Sequence, residues 1–331
     1  LYPVGRVTFF HASATVGRVL EYGGAVWIGM VLLVVPSLMA VDAVTLFGLA
    51  FRDRLRQLRA GALLLGLGLS LVAWVGGERA PRAVAIEVEM PRLPPSAAGL
   101  VVAQLSDLHL GTLIGERRLA AVVRQIDAMG ADVFAVTGDL IDSDVELVRT
   151  MLPTLQSLRA PCGVYAVLGN HELYAGAEAS RALMRDAGFE VLEGNALEVV
   201  DGLWIAGMGN QIRALDRGGR ERLIRNSLTS VPEDVAVVYL LHAPGAEQET
   251  SSAGVGLLLN GHTHGAQIWP AHLLVRWAYP RLGGVFAEGE MTQVVCRGAG
   301  QWGPPMRLFA RSEIYRITLR SPYRTMTRAE P

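Results

Sequence analysis

The sequence predicts a mixed α/β domain carried behind a pair of apolar helices. Two long apolar runs, 24–51 and 60–77, stand near the start of the chain. From Gly99 onward, short β-rich apolar runs alternate with helical patterns, the rhythm of strands packed on helices. Five polar blocks each follow one of those runs directly, where loops at strand ends collect ligands.

The apolar runs come first. The chain has 331 residues, room for one sizeable domain and further elements. It is 51% hydrophobic with mean hydropathy +0.31, high for a wholly soluble protein. Crossing a bilayer core takes about 20 apolar residues in a helix, which the first run exceeds and the second just reaches. Pro36 predicts a kink that neighbouring packing tolerates. Asp42, the only charge in its run, lies near enough to the end to reach lipid headgroups. Neither run has a polar face, which argues against buried helices of a soluble domain, and two runs around a basic loop do not make a cleaved signal. That loop holds Arg52, Arg54, Arg56 and Arg59. Basic loops stay on the cytoplasmic side, so both ends of a hairpin, and the domain after it, are expected outside the cytoplasm.

Residues 1–23 read as a juxtamembrane segment, and a start at Leu1 rather than Met leads us to expect residues upstream. Residues 78–98, with four prolines and a strand-like insert, read as a linker, 99–320 as the α/β domain and 321–331 as a tail. Within the domain, strands are expected at 100–103, 133–136, 164–167, 235–241, 256–259 and 293–296. Helices are expected at 117–129, at 145–158 opened by Ser143 with Glu146 at capping-box spacing, and at 177–187. The 30 basic and 31 acidic residues leave no excess for nucleic acid. Cys162 and Cys296 match no zinc spacing and read as two separate buried thiols.

The chemistry lies in the five blocks: Ser106-Asp107-Leu108-His109, Thr137-Gly138-Asp139, Leu168-Gly169-Asn170-His171-Glu172, His242, and Gly261-His262-Thr263-His264-Gly265. Asp, Asn and His are oxygen and nitrogen donors suited to Mn, Fe, Zn or Mg. The glycines before Asp139, Asn170 and His262 are expected to permit tight turns close to such ions. Alone, an Asp-x-His, a Gly-Asp turn or a core histidine means little. All five in this order, each after a strand, are specific.

The series Asp-x-His, Gly-Asp, Gly-Asn-His-Glu, His, Gly-His-x-His resembles the signature of the calcineurin-like metallophosphoesterases, over about Gly99 to Leu319. Its continuation, Gly265-Ala266-Gln267, and the stretch from Arg297 through Arg307 to Ile314 resemble a bacterial membrane-associated subgroup. Ala266 and Ser312 depart from that pattern, where glycine and proline are expected, and neither is a donor. The resemblance implies a four-layer αββα sandwich. It implies two divalent metal ions, one on Asp107, His109 and His264, the other on Asn170, His242 and His262, with Asp139 bridging. It implies hydrolysis of a phosphate ester or pyrophosphate by a metal-bridging hydroxide, with His171 as the catalytic residue that protonates the leaving group or steadies the phosphate. Glu172 is expected to be structural. Anchoring in the bacterial cytoplasmic membrane, among membrane lipids, makes a lipid-linked or envelope phosphate the expected substrate. The alternatives are a non-catalytic metal-binding scaffold and a tethered phosphodiesterase for soluble nucleotides. A scaffold with a decayed site would have lost donors, and none is lost here.

Two further signals are discounted. Residues 298–303 match G-x-G-x-x-G, but Pro304-Pro305 follows where a dinucleotide site needs a helix. The apolar, aromatic segment 268–286 is expected to pack on the domain's own surface rather than touch lipid. His11 and His272 lack partner motifs and read as structural.

Overall fold

The computed structural model describes residues 2–323; most of the expected 321–331 tail lies outside them, as does the His11 side chain. Helix α1 (Tyr2–His11) precedes α2 (Ala14–Val44), which Ser13 caps through Val16 N. Helix α2 thus begins well before Gly24 and stops before Phe51. Residues 45–50 turn sharply, with Leu46, Phe47 and Gly48 at positive φ. Helix α3 (Leu55–Glu78) returns antiparallel. Arg59 meets Asp42 at 2.7 Å, and Trp74 Nε1 donates to Tyr22 at 2.7 Å. Asp42 therefore belongs to the hairpin's turn end. Both helices are long and apolar enough to cross a membrane, and their outer faces leave Trp27, Leu64 and Leu71 more than 60% exposed.

The domain begins with β1 (Arg82–Glu89), inside the stretch read as linker, followed by β2 (Val101–Leu105), α4 (Glu116–Asp127) and β3 (Val133–Val136). The single helix expected over 145–158 is two, α5 (Val145–Arg149) and α6 (Leu152–Leu155), because Pro153 cannot continue a helix begun before it. The cap of α5 is Asp144, whose carboxylate accepts from Leu147 N, and not Ser143. Then come β4 (Val164–Ala166), α7 (Asn170–Asp186), β5 (Glu190–Val191), β6 (Asn195–Val200) and β7 (Leu203–Met208). The chain closes with α8 (Arg217–Ser227), β8 (Ala236–Leu241), α9 (Glu247–Ser252), β9 (Leu257–Asn260), α10 (His272–Ala278), β10 (Gly284–Glu288), β11 (Met291–Val295) and β12 (Glu313–Arg320).

The strands form two six-stranded sheets, ordered β1-β12-β2-β3-β4-β5 and β10-β11-β9-β8-β7-β6. Strands β2 to β5 run parallel in the first, and β7, β8, β9 and β11 run parallel in the second. Between the sheets, Val102, Ala135 and Val167 meet Ile205, Leu240 and Leu259 in one apolar core. The outer face of the first sheet buries Phe134 and Val136 under α4 to α7, and that of the second buries Tyr239 and Leu258 under α8 and α9. This is the four-layer αββα sandwich.

The hairpin packs on the domain rather than standing clear of it. Leu33 and Ala73 bury against Ile268, Met306 and Leu308. Arg307 N donates to Ala73 O at 2.7 Å, and a Cβ at Gly76 or Gly77 would run into the backbone at Arg307 or Pro305. The two cysteines are free thiols, Cys296 buried and Cys162 only half-buried.

Candidate metal centre

Parallel strands send their carboxyl ends to one edge, so the loops after β2, β3, β4, β8 and β9 converge. Asp107 and His109 follow β2, and Asp139 follows β3. Asn170 opens α7 after β4. His242 follows β8, while His262 and His264 follow β9. All seven expected donors, and His171, meet there. Five of the seven have positive φ: Asp107 (52°), His109 (52°), Asp139 (51°), His262 (71°) and His264 (51°). A non-glycine residue in this region is disfavoured by about 1–2 kcal/mol, and such strain gathers at functional sites. The glycines act differently from one another. Gly138 itself turns left-handed (φ 88°), while Gly169 has an ordinary φ and is needed for space, since a Cβ there would run into Asp139 Oδ1.

The donor atoms form two groups. In one, atoms of Asp107, His109 and His264 all lie within 4.8 Å of one another. His109 Nε2 faces His264 Nε2 at 3.0 Å, and Asp107 is fixed by the His262 amide and by Ser106 Oγ at 2.5 Å. In the other, His242 Nε2 lies 3.2 Å from Asn170 Oδ1 and 3.1 Å from His262 Nδ1. Asp139 stands between the groups, its Oδ2 3.2 Å from His242 Nε2 and 3.8 Å from His109 Nε2, while its Oδ1 accepts the His171 amide at 2.9 Å.

These residues fit a pair of divalent cations. His242 Nδ1 lies 2.8 Å from the Thr137 carbonyl, which holds the ring proton there and turns the Nε2 lone pair into the site. Burial pushes His264 well below the ordinary imidazole value; burial and then His242 push His262 down to about 3. Both rings are therefore neutral, the form that ligates metal. Burial alone would raise Asp139 and lower His242. Their mutual contact outweighs it, holding the carboxylate well below its usual range and lifting the imidazole to about 9, so a cation would bind His242 by displacing its Nε2 proton. His109 Nδ1 lies 3.6 Å from Asp142 Oδ1, which leaves Nε2 to face the other donors. Four imidazoles, two carboxylates and an amide oxygen, with no thiol, suit Mn, Fe, Zn or Mg.

Around this cluster lie supporting residues: Glu172 and His171 from a recognised block, and Arg213, which the sequence patterns did not single out. Glu172 is fully buried, and its carboxylate accepts three backbone amides, Gly169 (2.7 Å), Ile141 (2.8 Å) and Asp139 (2.9 Å). Burial raises its pKa, and those amides counter by favouring the ionised form. It therefore ties two donor loops together. His171 Nδ1 contacts the Asp142 carbonyl at 2.8 Å and its carboxylate at 3.2 Å; burial acts downward on the ring, and these contacts with Asp139 raise it overall. His262 Nε2 meets Tyr279 OH at 2.8 Å and Arg213 at 3.1 Å. Buried Arg307 donates to the carbonyls of Ala310 and Gly300, both at 2.7 Å, and to His264 O at 3.1 Å, with Nη2 3.2 Å from His264 Nδ1; burial pushes its pKa down to about 10. The 298–303 stretch starts no helix. Ala299 N and Gly300 N bond Ser106 O and Asp107 O, so it forms the wall behind the first block.

A cavity of about 360 Å³ opens over the donors. Beyond them its walls are mainly apolar: Leu32 from α2, Ile268, Ala271, Val275 and Trp302, with Tyr279 at one side. The expectation that segment 268–286 packs on its own domain is corrected here. Trp277 is 90% exposed and Leu274 75%, because α10 is a short helix on the rim that buries none of its residues.

Comparison with known proteins agrees with this geometry. The profile of the family described as calcineurin-like phosphoesterase matches residues 100–266. A transmembrane protein with metallophosphoesterase domain from Danio rerio is 30% identical over 270 residues, 78% of this chain and 62% of that protein. Its Bos taurus namesake is 30% identical over 286 residues, 81% and 64% respectively. An uncharacterized metallophosphoesterase of Aquifex aeolicus is 31% identical over 242 residues, 70% of this chain and 89% of that one. The chain thus spans less than two thirds of the length of the two vertebrate relatives. Half of its length is matched by that profile, and its motif-bearing loops meet at one edge of two sheets: the chain belongs to the calcineurin-like phosphoesterase family.

Proposed function

We propose that the protein is a membrane-anchored, metal-dependent phosphoesterase whose substrate is a lipid-linked phosphate ester. The observation that carries this reading is the seven-donor cluster, five of its members held at positive φ. Asp107, His109 and His264 would hold one cation, Asn170, His242 and His262 a second, and Asp139 would reach both. Bound there, the cations would polarise the phosphate and make water acidic enough to supply a nucleophile near neutral pH. Hydrolysis joins a water oxygen to phosphorus and breaks the bond to the leaving oxygen, which takes up a proton. His171 is the residue placed to give that proton: its Nδ1 is held by Asp142, and its ring lines the cavity. Arg213 and Tyr279 orient His262, and Glu172 holds the loops of Asp139 and Asn170 in register.

Two helices of spanning length, and relatives named as transmembrane proteins, support anchoring. The four arginines of the hairpin's turn support a cytoplasmic turn and a domain on the opposite side. Leu32, a hairpin residue lining the donor cavity, supports a substrate drawn from lipid. The test uses the full chain in detergent: bound metal is measured, and hydrolysis of aryl phosphodiesters and phosphomonoesters is compared with Asp139→Ala. We expect about two divalent ions per chain and activity lost in the variant. A folded chain that binds metal but hydrolyses nothing with added Mn²⁺ would leave the scaffold reading in its place.

A further inference from the structure

A second cavity, of about 420 Å³, lies in the groove between α2 and α3 and is bounded by Trp269 and Pro270 of the domain. Its walls carry no charge. Its two hydroxyls, Ser37 and Thr45, are satisfied within their own helix, bonding Leu33 O and Val41 O at 2.8 Å each. Apart from the Trp269 indole the wall is almost wholly apolar, and hydrocarbon is what such a wall accepts.

The two cavities lie on either side of one packed contact, where Leu33 buries against Ile268. Leu32 lines the first and Leu33 the second; Ile268 lines the first and Trp269 the second. On the domain side of the groove Phe309 stands edge-on to Trp269, and Phe309, Leu274 and Trp277 are each at least 75% exposed, an apolar patch of the kind that meets lipid.

We infer that the two cavities hold one substrate, a phosphate ester with a long hydrocarbon chain, its phosphate at the donor cluster and its chain running past Leu32 and Ile268 into the groove of the hairpin. The inference rests on the phosphoesterase reading and extends it: the hairpin is the part of the enzyme that selects the chain. Trp269 stands at the threshold between head and tail.

The test compares the butyl and dodecyl diesters of one aryl phosphate, with the full chain in lipid nanodiscs and Mn²⁺. Gly61 lines the groove, and a Cβ there meets no atom within 4 Å, so Gly61→Trp is the substitution that puts an indole into the groove. Gly68 is equally free but does not line it, and Gly68→Trp is the control. The readout is the dodecyl-to-butyl ratio of kcat/KM, each against the same variant's butyl value. We expect Gly61→Trp to lower the ratio about tenfold or more, since about two lost methylene contacts suffice for that, and Gly68→Trp to keep the wild-type ratio. Ala40→Trp, from the facing helix, repeats the test if Gly61→Trp does not fold. Equal ratios in all variants would overturn the inference while leaving the phosphoesterase reading intact, and would assign the groove to a structural lipid or another helix. No hydrolysis of either ester by the wild type would instead refute the phosphoesterase reading on which the inference stands.

Discussion

Replacing Glu172 with glutamine tests whether the loops are held as described. The carboxylate presents one oxygen to the amides of Asp139 and Gly169 and the other to the amide of Ile141. Glutamine keeps one acceptor oxygen. Its best orientation retains the pair at Asp139 and Gly169 and turns its NH₂ toward the Ile141 amide, leaving two donors facing each other. A hydrogen bond to a charged acceptor contributes about 1.5–3 kcal/mol, and an unsatisfied buried donor costs about 1–3 kcal/mol. The variant should therefore lose about 2–4 kcal/mol. For a domain of this size each kcal/mol moves the unfolding midpoint by about 2–4 °C, so a drop of about 4–16 °C is expected. Thermal unfolding of the metal-free full chain in detergent reads this without contribution from bound ions. Because the Asp139 amide is among the anchored groups, hydrolysis with Mn²⁺ should fall by about 10–100-fold as the donor shifts. A midpoint within about 1 °C of wild type and an unchanged rate would refute the positioning role and return Glu172 to a passive place in the core.

Two further outcomes follow from the same geometry. Gly169→Ala places a methyl against Asp139 Oδ1 and should lower kcat about 10²-fold, measured beside Gly130→Ala, whose Cβ meets nothing but whose positive φ makes it the harsher backbone change. His171→Asn should lower kcat by about 10²–10⁴-fold for alkyl esters, whose leaving oxygen needs a proton, and much less for nitrophenyl esters; equal losses on both would argue that His171 steadies the phosphate instead.

The donors were legible because each is local in sequence to a strand end. A run such as VVYLL stops, and His242 stands at its mouth. Their supports were not. Arg307 and His264 are 43 residues apart, Arg213 and His262 49, and no periodicity links such pairs. Glu172 sits within a recognised block, yet its three amide partners are visible only once β3 and β4 lie side by side. Among the strands, β6 and β10 were hidden by position: as edge strands, exposed on alternate or most residues, they lack the continuous apolar run that marks β8. Pairing of β1 with β12, over 200 residues apart in the chain, makes a strand from what composition alone gives as linker. At α5 the sequence pattern pointed to Ser143, and the backbone chose its neighbour Asp144, a residue that caps equally well.

The seam between the hairpin and the domain bears on how such a protein can change over time. A tether that had only to be oily could be traded for any other greasy segment. This one is keyed. Ala73 takes the Arg307 amide, Gly76 and Gly77 leave room for the loop that carries it, and the Arg307 guanidinium steadies the backbone at His264. Grafting the domain onto a foreign hairpin would therefore cut the line from Ala73 through Arg307 to His264, and a methyl group gained at residue 76 or 77 would press on the loop that carries that arginine.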